Sequence, residues 1–184
     1  MSFPFLHRLR KDTRGILAVE FALALPVLVL IAIAGIEMTR LILINQKVDR
    51  ATSTMADLVS QSRELVEADL TAMFSASQYV MEPYTLDTDG VVIVSSISAS
   101  GGAQPVVNWQ RTFGAGTGTS NYGAEGGTAT LPTGFLVRDD ESIIVSETFF
   151  DYKPMLVNNV LSARPLYSSV VYRPRFSPLT TLLP

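Results

Sequence analysis

The most constraining feature is the stretch "RGILAVEFALALPVLVLIAIAGIE", residues 14–37, in which residues 16–36 carry a single charge, Glu20. As a helix, residues 16–36 rise about 31 Å at about 1.5 Å per residue, close to the hydrocarbon thickness of a bilayer. A core helix of a soluble domain has a polar face, and this one would have none. The run therefore predicts a membrane span, assigned with its polar exit to residues 16–43. Ahead of it, "HRLRKDTRG" sets Arg8, Arg10, Lys11 and Arg14 against Asp12 alone, whereas the charges beyond it (Glu37, Arg40, Lys47, Asp49, Arg50) are mixed. The positive-inside rule then keeps the N-terminus cytoplasmic and exports the C-terminal mass. In a bacterium that is single-pass inner-membrane anchoring with a periplasmic domain.

Overall composition hides this division. Of the 14 basic and 17 acidic residues, four basic and one acidic lie in residues 1–15, so the remainder carries a net charge of −6. An acidic exported part gives no support to nucleic-acid binding. The absence of cysteine excludes disulfides, leaving packing to hold the domain.

Past the span, Val48, Ala51, Met55, Leu58, Val59, Leu65, Val66, Leu70, Met73 and Phe74 test well against a 3.6 period, with charges on the other faces. Residues 44–82 thus read as an amphipathic helical continuation. A break is open at Ser60-Gln61-Ser62, with a second helix capped there and starting at Arg63. Pro83 ends the helical region. Residues 83–184 read as a β-rich exported domain. Its expected strands are 91–98, after the turn Asp87-Thr88-Asp89-Gly90, then 105–113, 141–152 and a last one from Pro165. Pro154 is placed to open a short helix over 154–161. Residues 114–127, "GAGTGTSNYGAEGG", are too glycine-rich for regular structure and read as a mobile surface loop. The fold class is α+β: a long N-terminal helix whose upper half packs on an antiparallel sheet of about four strands, the plan of a pilin.

Chemistry for catalysis is sparse, and the chain reads as a non-enzyme without cofactor or metal. His7 is the one histidine, and no G-x-S-x-G or Ser-x-x-Lys marks a nucleophile. The glycine-rich loop lacks the G-K-[ST] ending of a phosphate loop. Asp87-x-Asp89-Gly90 and Asp139-Asp140-Glu141 fall short of calcium-loop spacing and read as polar turns. Trp109 reads as a partly buried core residue.

Glu20 needs an explanation, because a carboxylate near the bilayer centre costs about 2.5–3.5 kcal/mol. Two readings stand on the chemistry alone. It sits at the cytoplasmic interface, pairing with Arg14 or a headgroup, or it waits for a partner inside the membrane. Phe21 is an ordinary interfacial aromatic. Pro26 either bends or locally melts the helix or is simply a tolerated membrane proline. Glu37 and Arg40, at i and i+3, suggest a surface pair worth tenths of a kcal/mol at the periplasmic end of the span, or a contact between subunits.

Glu20 falls fifth after Gly15, behind basic residues and ahead of a long apolar helix, which resembles a type IV prepilin processing site. The longer "RGILAVEFALALPVLVLIAIAGIEMTR" resembles the TadE-like pseudopilins and minor pilins of the tight-adherence (Flp) pilus system. The resemblance rests on Arg14, Gly15, Ala18, Val19, Glu20, Phe21, Ala22, Pro26, Gly35, Glu37 and Arg40, with "SETFFDYKP" and "YRPRF" as looser late matches. It implies a leader, residues 1–15, removed after Gly15 by a prepilin peptidase, and a mature chain starting at Ile16. It also implies that Glu20 pairs with the terminal amine of a neighbouring subunit and so sets docking register. The implied partners are the peptidase, other pilins and minor pilins, an inner-membrane assembly platform and membrane lipid. The implied role is pilus assembly in support of surface adhesion. Two rival readings are a secreted periplasmic protein, cut by signal peptidase after Ala32-Ile33-Ala34, before Gly35, and a periplasmic binding module held in the membrane by an uncleaved signal anchor.

Overall fold

The computed structural model describes residues 15–156 and 162–184. Helix α1 (Ile16–Ser60) runs without a break, and among the described residues its second half is the part that packs on the sheet and the following helix. Glu37, Leu41, Ile44, Val48, Ala51, Met55 and Val59 are buried. They recur at three- and four-residue spacing, one stripe along the helix. Each large apolar member of that stripe contributes about 1.5–3 kcal/mol by leaving water.

Beyond Ser60 the chain leaves the helix at the serine–glutamine pair that the sequence marks as weak. The second helix, α2 (Glu67–Met81), starts four residues later than Arg63. The delay has a tertiary cause. Residues near the chain's end lie parallel to the linker: the Leu183 amide donates to the Leu65 carbonyl at 2.9 Å, and the Glu67 amide to the Leu183 carbonyl at 3.1 Å. These bonds hold Val66 extended, so α2 begins at Glu67, with Glu67 and Asp69 in its first turn favouring the positive end of the helix dipole. A helical turn, α3 (Leu86–Asp89), then leads into the sheet.

Four strands follow the expected positions closely: β1 (Gly90–Ser98), β2 (Val106–Phe113), β3 (Ser142–Tyr152) and β4 (Arg164–Tyr172). All neighbours pair antiparallel in the order β2-β1-β3-β4. The fold is thus α+β, a long N-terminal helix on a four-stranded antiparallel sheet. The short helix expected over 154–161 falls largely outside the described residues, and Met155 and Leu156 themselves form a bend.

Period-two alternation sorts the sheet's side chains. Val92, Val94, Ile144, Phe150, Tyr152 and Leu166 join the helical stripe in one core cluster with Phe74 of α2, whose ring stacks on Phe113 at 5.5 Å. Ile97, Val107, Ile143 and Val145 join a second cluster with Tyr122 and Ala129. A bulge at Asn108, between the pairs Ser96–Trp109 and Ile97–Val107, puts Trp109 in the first cluster and Val107 in the second. Trp109 is a core residue as expected, but buried more completely than the sequence reading has it, its indole donating to the Leu179 carbonyl at 2.9 Å. The second face is covered by coil from 114–141, so helices lie on one side of the sheet and a strapped loop on the other.

Candidate functional site: an exposed helix latched to the sheet

Gly15 caps α1, with its carbonyl accepting from the Val19 amide at 3.1 Å. Ile16 opens the helix, and Glu20, Phe21 and Pro26 lie on its surface. From residue 16 to 36 almost every side chain is exposed, and the most apolar 18-residue window has a mean hydropathy of 2.8 with none of it buried. That much bare apolar surface, left uncovered by the described part of the head, is compatible with single-pass membrane anchoring. The helix continues through Pro26 without local melting. Arg14 lies outside the described residues.

The exposed run stops at Glu37, whose side chain is fully buried. Its carboxylate accepts from the Tyr152 hydroxyl at the end of β3, from the Leu156 amide at 3.0 Å and from the Met155 amide at 3.2 and 3.3 Å. Arg40, one turn on, donates to Glu37 Oε1 at 3.4 Å and to the Lys153 carbonyl at 3.3 Å, and its guanidinium lies 5.9 Å from the centre of the Tyr84 ring. Burial, and then the bond to Glu37, push the Tyr152 phenol up to about 12. The expectation of a surface pair is therefore wrong for Glu37. The short i,i+3 contact is the weakest part of a buried latch that fastens the end of β3 to the helix. The bond from the buried Tyr152 hydroxyl to this charged group contributes about 1.5–3 kcal/mol, well above a surface pair.

This geometry gives the helix two environments. Its first half is free for lipid or partners, and its second half is an integral part of the head. The latch sits at the boundary, so the direction of the exposed helix fixes the orientation of the sheet.

The chain carries a TadE-like segment. The family model described as TadE-like protein matches residues 15–57, from the Gly15 cap through the exposed run and latch to the packed stripe. That match is consistent with a TadE-like pilin of the Tad pilus system, and it leaves the sheet outside its span. No curated protein and no solved structure matches the chain. Within the TadE-like segment the residues of the resemblance divide by environment. Gly15, Ile16, Glu20, Phe21 and Pro26 face outward, whereas Glu37 and Arg40 turn inward to the head.

A second buried carboxylate escaped the sequence reading. Glu147, on β3, faces the side of the sheet opposite α1 and accepts from the Ser120 hydroxyl, the Asn121 amide at 2.9 Å and the Tyr167 hydroxyl at 2.9 Å. Ser120 and Asn121 belong to the glycine-rich loop. Glu125, further along it, accepts from the Gln110 amide at 3.1 Å and from Arg111 at 3.0 Å. The loop is irregular, as its composition implies, but it is strapped to the sheet, not a loose surface loop. Close approach explains Gly116 and Gly118. A Cβ on Gly116 would lie 2.5 Å from the Gly90 carbonyl carbon, and one on Gly118 2.6 Å from the Phe149 ring. The available signal was Glu147 itself, a charge inside the strongest strand pattern of the chain. The two calcium-like fragments make other contacts: Asp89 pairs with Lys153 at 2.6 Å, and Asp139 accepts from the Gly102 amide at 2.9 Å.

Proposed function

We propose that this chain is a minor pilin or pseudopilin of a Tad-type pilus, acting by assembly and not by catalysis. The observation that carries the reading is the TadE-like match over a helix whose first half is apolar, exposed and marked by Glu20. In this reading a prepilin peptidase removes residues 1–15, the span crosses the inner membrane with its N-terminus cytoplasmic, and the sheet faces the periplasm. The subunit then joins or primes the filament through the exposed half of α1. A shallow apolar groove beside Ala32, Gly35 and Thr39 supports such packing, since small residues let another helix approach closely.

Cleavage after Gly15 would place an α-ammonium on Ile16, one turn from Glu20. Within a stack of such helices the carboxylate of one subunit meets the ammonium of the next, and the pair offsets the desolvation of both charges. The groups recognised are therefore other pilin-like subunits, the assembly platform and lipid, not nucleic acid. Because the latch joins helix to head, the register chosen at Glu20 also orients the sheet outside.

Mass spectrometry of the mature N-terminus tests the reading. A chain beginning at Ile16 is expected. A start at Gly35 would refute it in favour of a secreted protein, leaving Glu37 two residues from the new end. Glu20→Ala should still be inserted and cleaved but enter the filament poorly, and normal incorporation would remove the register role.

A further inference from the structure

The head carries apolar surface where the exposed helix run ends. Met155 is 69% exposed and Leu156 47%, although both backbone amides are fixed on the Glu37 carboxylate. Glu37 directly follows residues 16–36, whose length of about 31 Å matches a hydrocarbon core of about 30 Å. A span of that length puts the Glu37 carboxylate at the exit interface. Side chains whose amides rest against it then lie within their own length of lipid. Basic groups stand nearby: Arg164, exposed and paired across the sheet with Tyr152, and Arg40, partly exposed beside the Lys153 carbonyl. Lys153 is exposed too, though held by Asp89. An apolar tip among arginines has the composition of a segment that lies in a membrane interface.

We propose that Met155 and Leu156 form a second membrane contact, seated in the headgroup–acyl boundary of the same bilayer that α1 crosses. The occupant follows from continuity with the apolar helix surface, and the latch sets the depth. A lone span leaves the head free to rotate about its axis, and a second contact removes that freedom. Uptake into a filament must then lift these two side chains out of lipid. The inference rests on the membrane-spanning reading of residues 16–36.

The chain lacks cysteine, so single-cysteine variants can each be labelled at one place with a polarity-sensitive fluorophore. The full chain would be reconstituted at one copy per lipid nanodisc containing lipids spin-labelled near the headgroup. Labels at Met155→Cys and Leu156→Cys should shift to the blue and be quenched, at a depth of about 5–10 Å. Leu136→Cys is the aqueous control, 79% exposed and separated by the length of β3, about 30 Å. Leu28→Cys, mid-span, should be quenched by deep acyl labels. If the Met155 and Leu156 labels behave like Leu136 while Leu28 is quenched, the second contact is overturned and the span survives. An unquenched Leu28 label overturns both. Protection of Met155 and Leu156 that appears only in discs with several copies assigns the patch to a neighbouring subunit and also overturns the proposal. Emission from Trp109 checks that each variant keeps its fold.

Discussion

Truncating Glu37 to alanine should loosen the head from its helix. The carboxylate has three acceptor contacts with the end of β3 and the residues after it, and a fourth with Arg40. Arg40 keeps the Lys153 carbonyl and partial exposure, so its loss is small, about 0–1 kcal/mol. The Tyr152 hydroxyl is buried, and leaving it unpartnered costs about 1–3 kcal/mol. The Met155 and Leu156 amides are part-buried at the edge of the latch and lose about 0.5–1.5 kcal/mol each. Together the loss is roughly 2–7 kcal/mol, a large share of the roughly 5–15 kcal/mol that stabilises an ordinary domain. Urea unfolding of the full chain in detergent micelles would measure it, with Trp109, the single tryptophan, as the fluorescent reporter. With a slope of about 2 kcal/mol/M the midpoint should fall by about 1–3.5 M. Tyr152→Phe should lose about 1–2 kcal/mol, and the double variant less than the sum, because both changes break the same bond. A Glu37→Ala midpoint within about 0.3 M of the parent would refute the latch as a structural joint.

Three other perturbations probe the sheet and its strap. Glu147→Ala should release the glycine-rich loop, seen as faster proteolytic cleavage within residues 114–127 and a stability loss of about 2–4 kcal/mol from its orphaned donors; unchanged cleavage would contradict the strap. Gly116→Ala should cost about 1–3 kcal/mol because its Cβ meets the Gly90 backbone, whereas Gly35→Ala, with nothing within 4 Å of its Cβ, should leave the unfolding midpoint of the head near the parent's. The Tyr152 phenol should titrate near 12 by ultraviolet absorbance, and Tyr152→Phe should remove that component. Its folded pKa lies above the ordinary value of 10, so its stabilising contribution is whole below pH 10 and is lost as the pH rises towards 12. Equal loss in the parent and Tyr152→Phe across that window would contradict it.

Much of the fold was legible because its signals are local. Strand positions follow from runs such as "VVIVSSIS", and the break after Ser60 follows from residues that compete with the helix for hydrogen bonds. The onset of α2 at Glu67 was not legible, since it depends on pairing with Leu183 at the far end of the chain. The glycine-rich loop was misjudged for a related reason. Glycine signals conformational freedom, yet the same residue is needed wherever backbone approaches backbone, and composition does not distinguish the two.

By itself the sequence determined the bare apolar helix, the isolated Glu20 and the α+β order, all properties of composition and short-range spacing. Only the tertiary structure decided the fate of the other carboxylates. Glu37 reads as one more exit charge until Tyr152 and Leu156, more than a hundred residues on, close over it. Glu147 reads as an irregularity until Ser120 and Tyr167 arrive from both directions. A carboxylate's role is set by the donors that surround it once water is gone, and in this chain those donors come from distant segments brought together by the sheet.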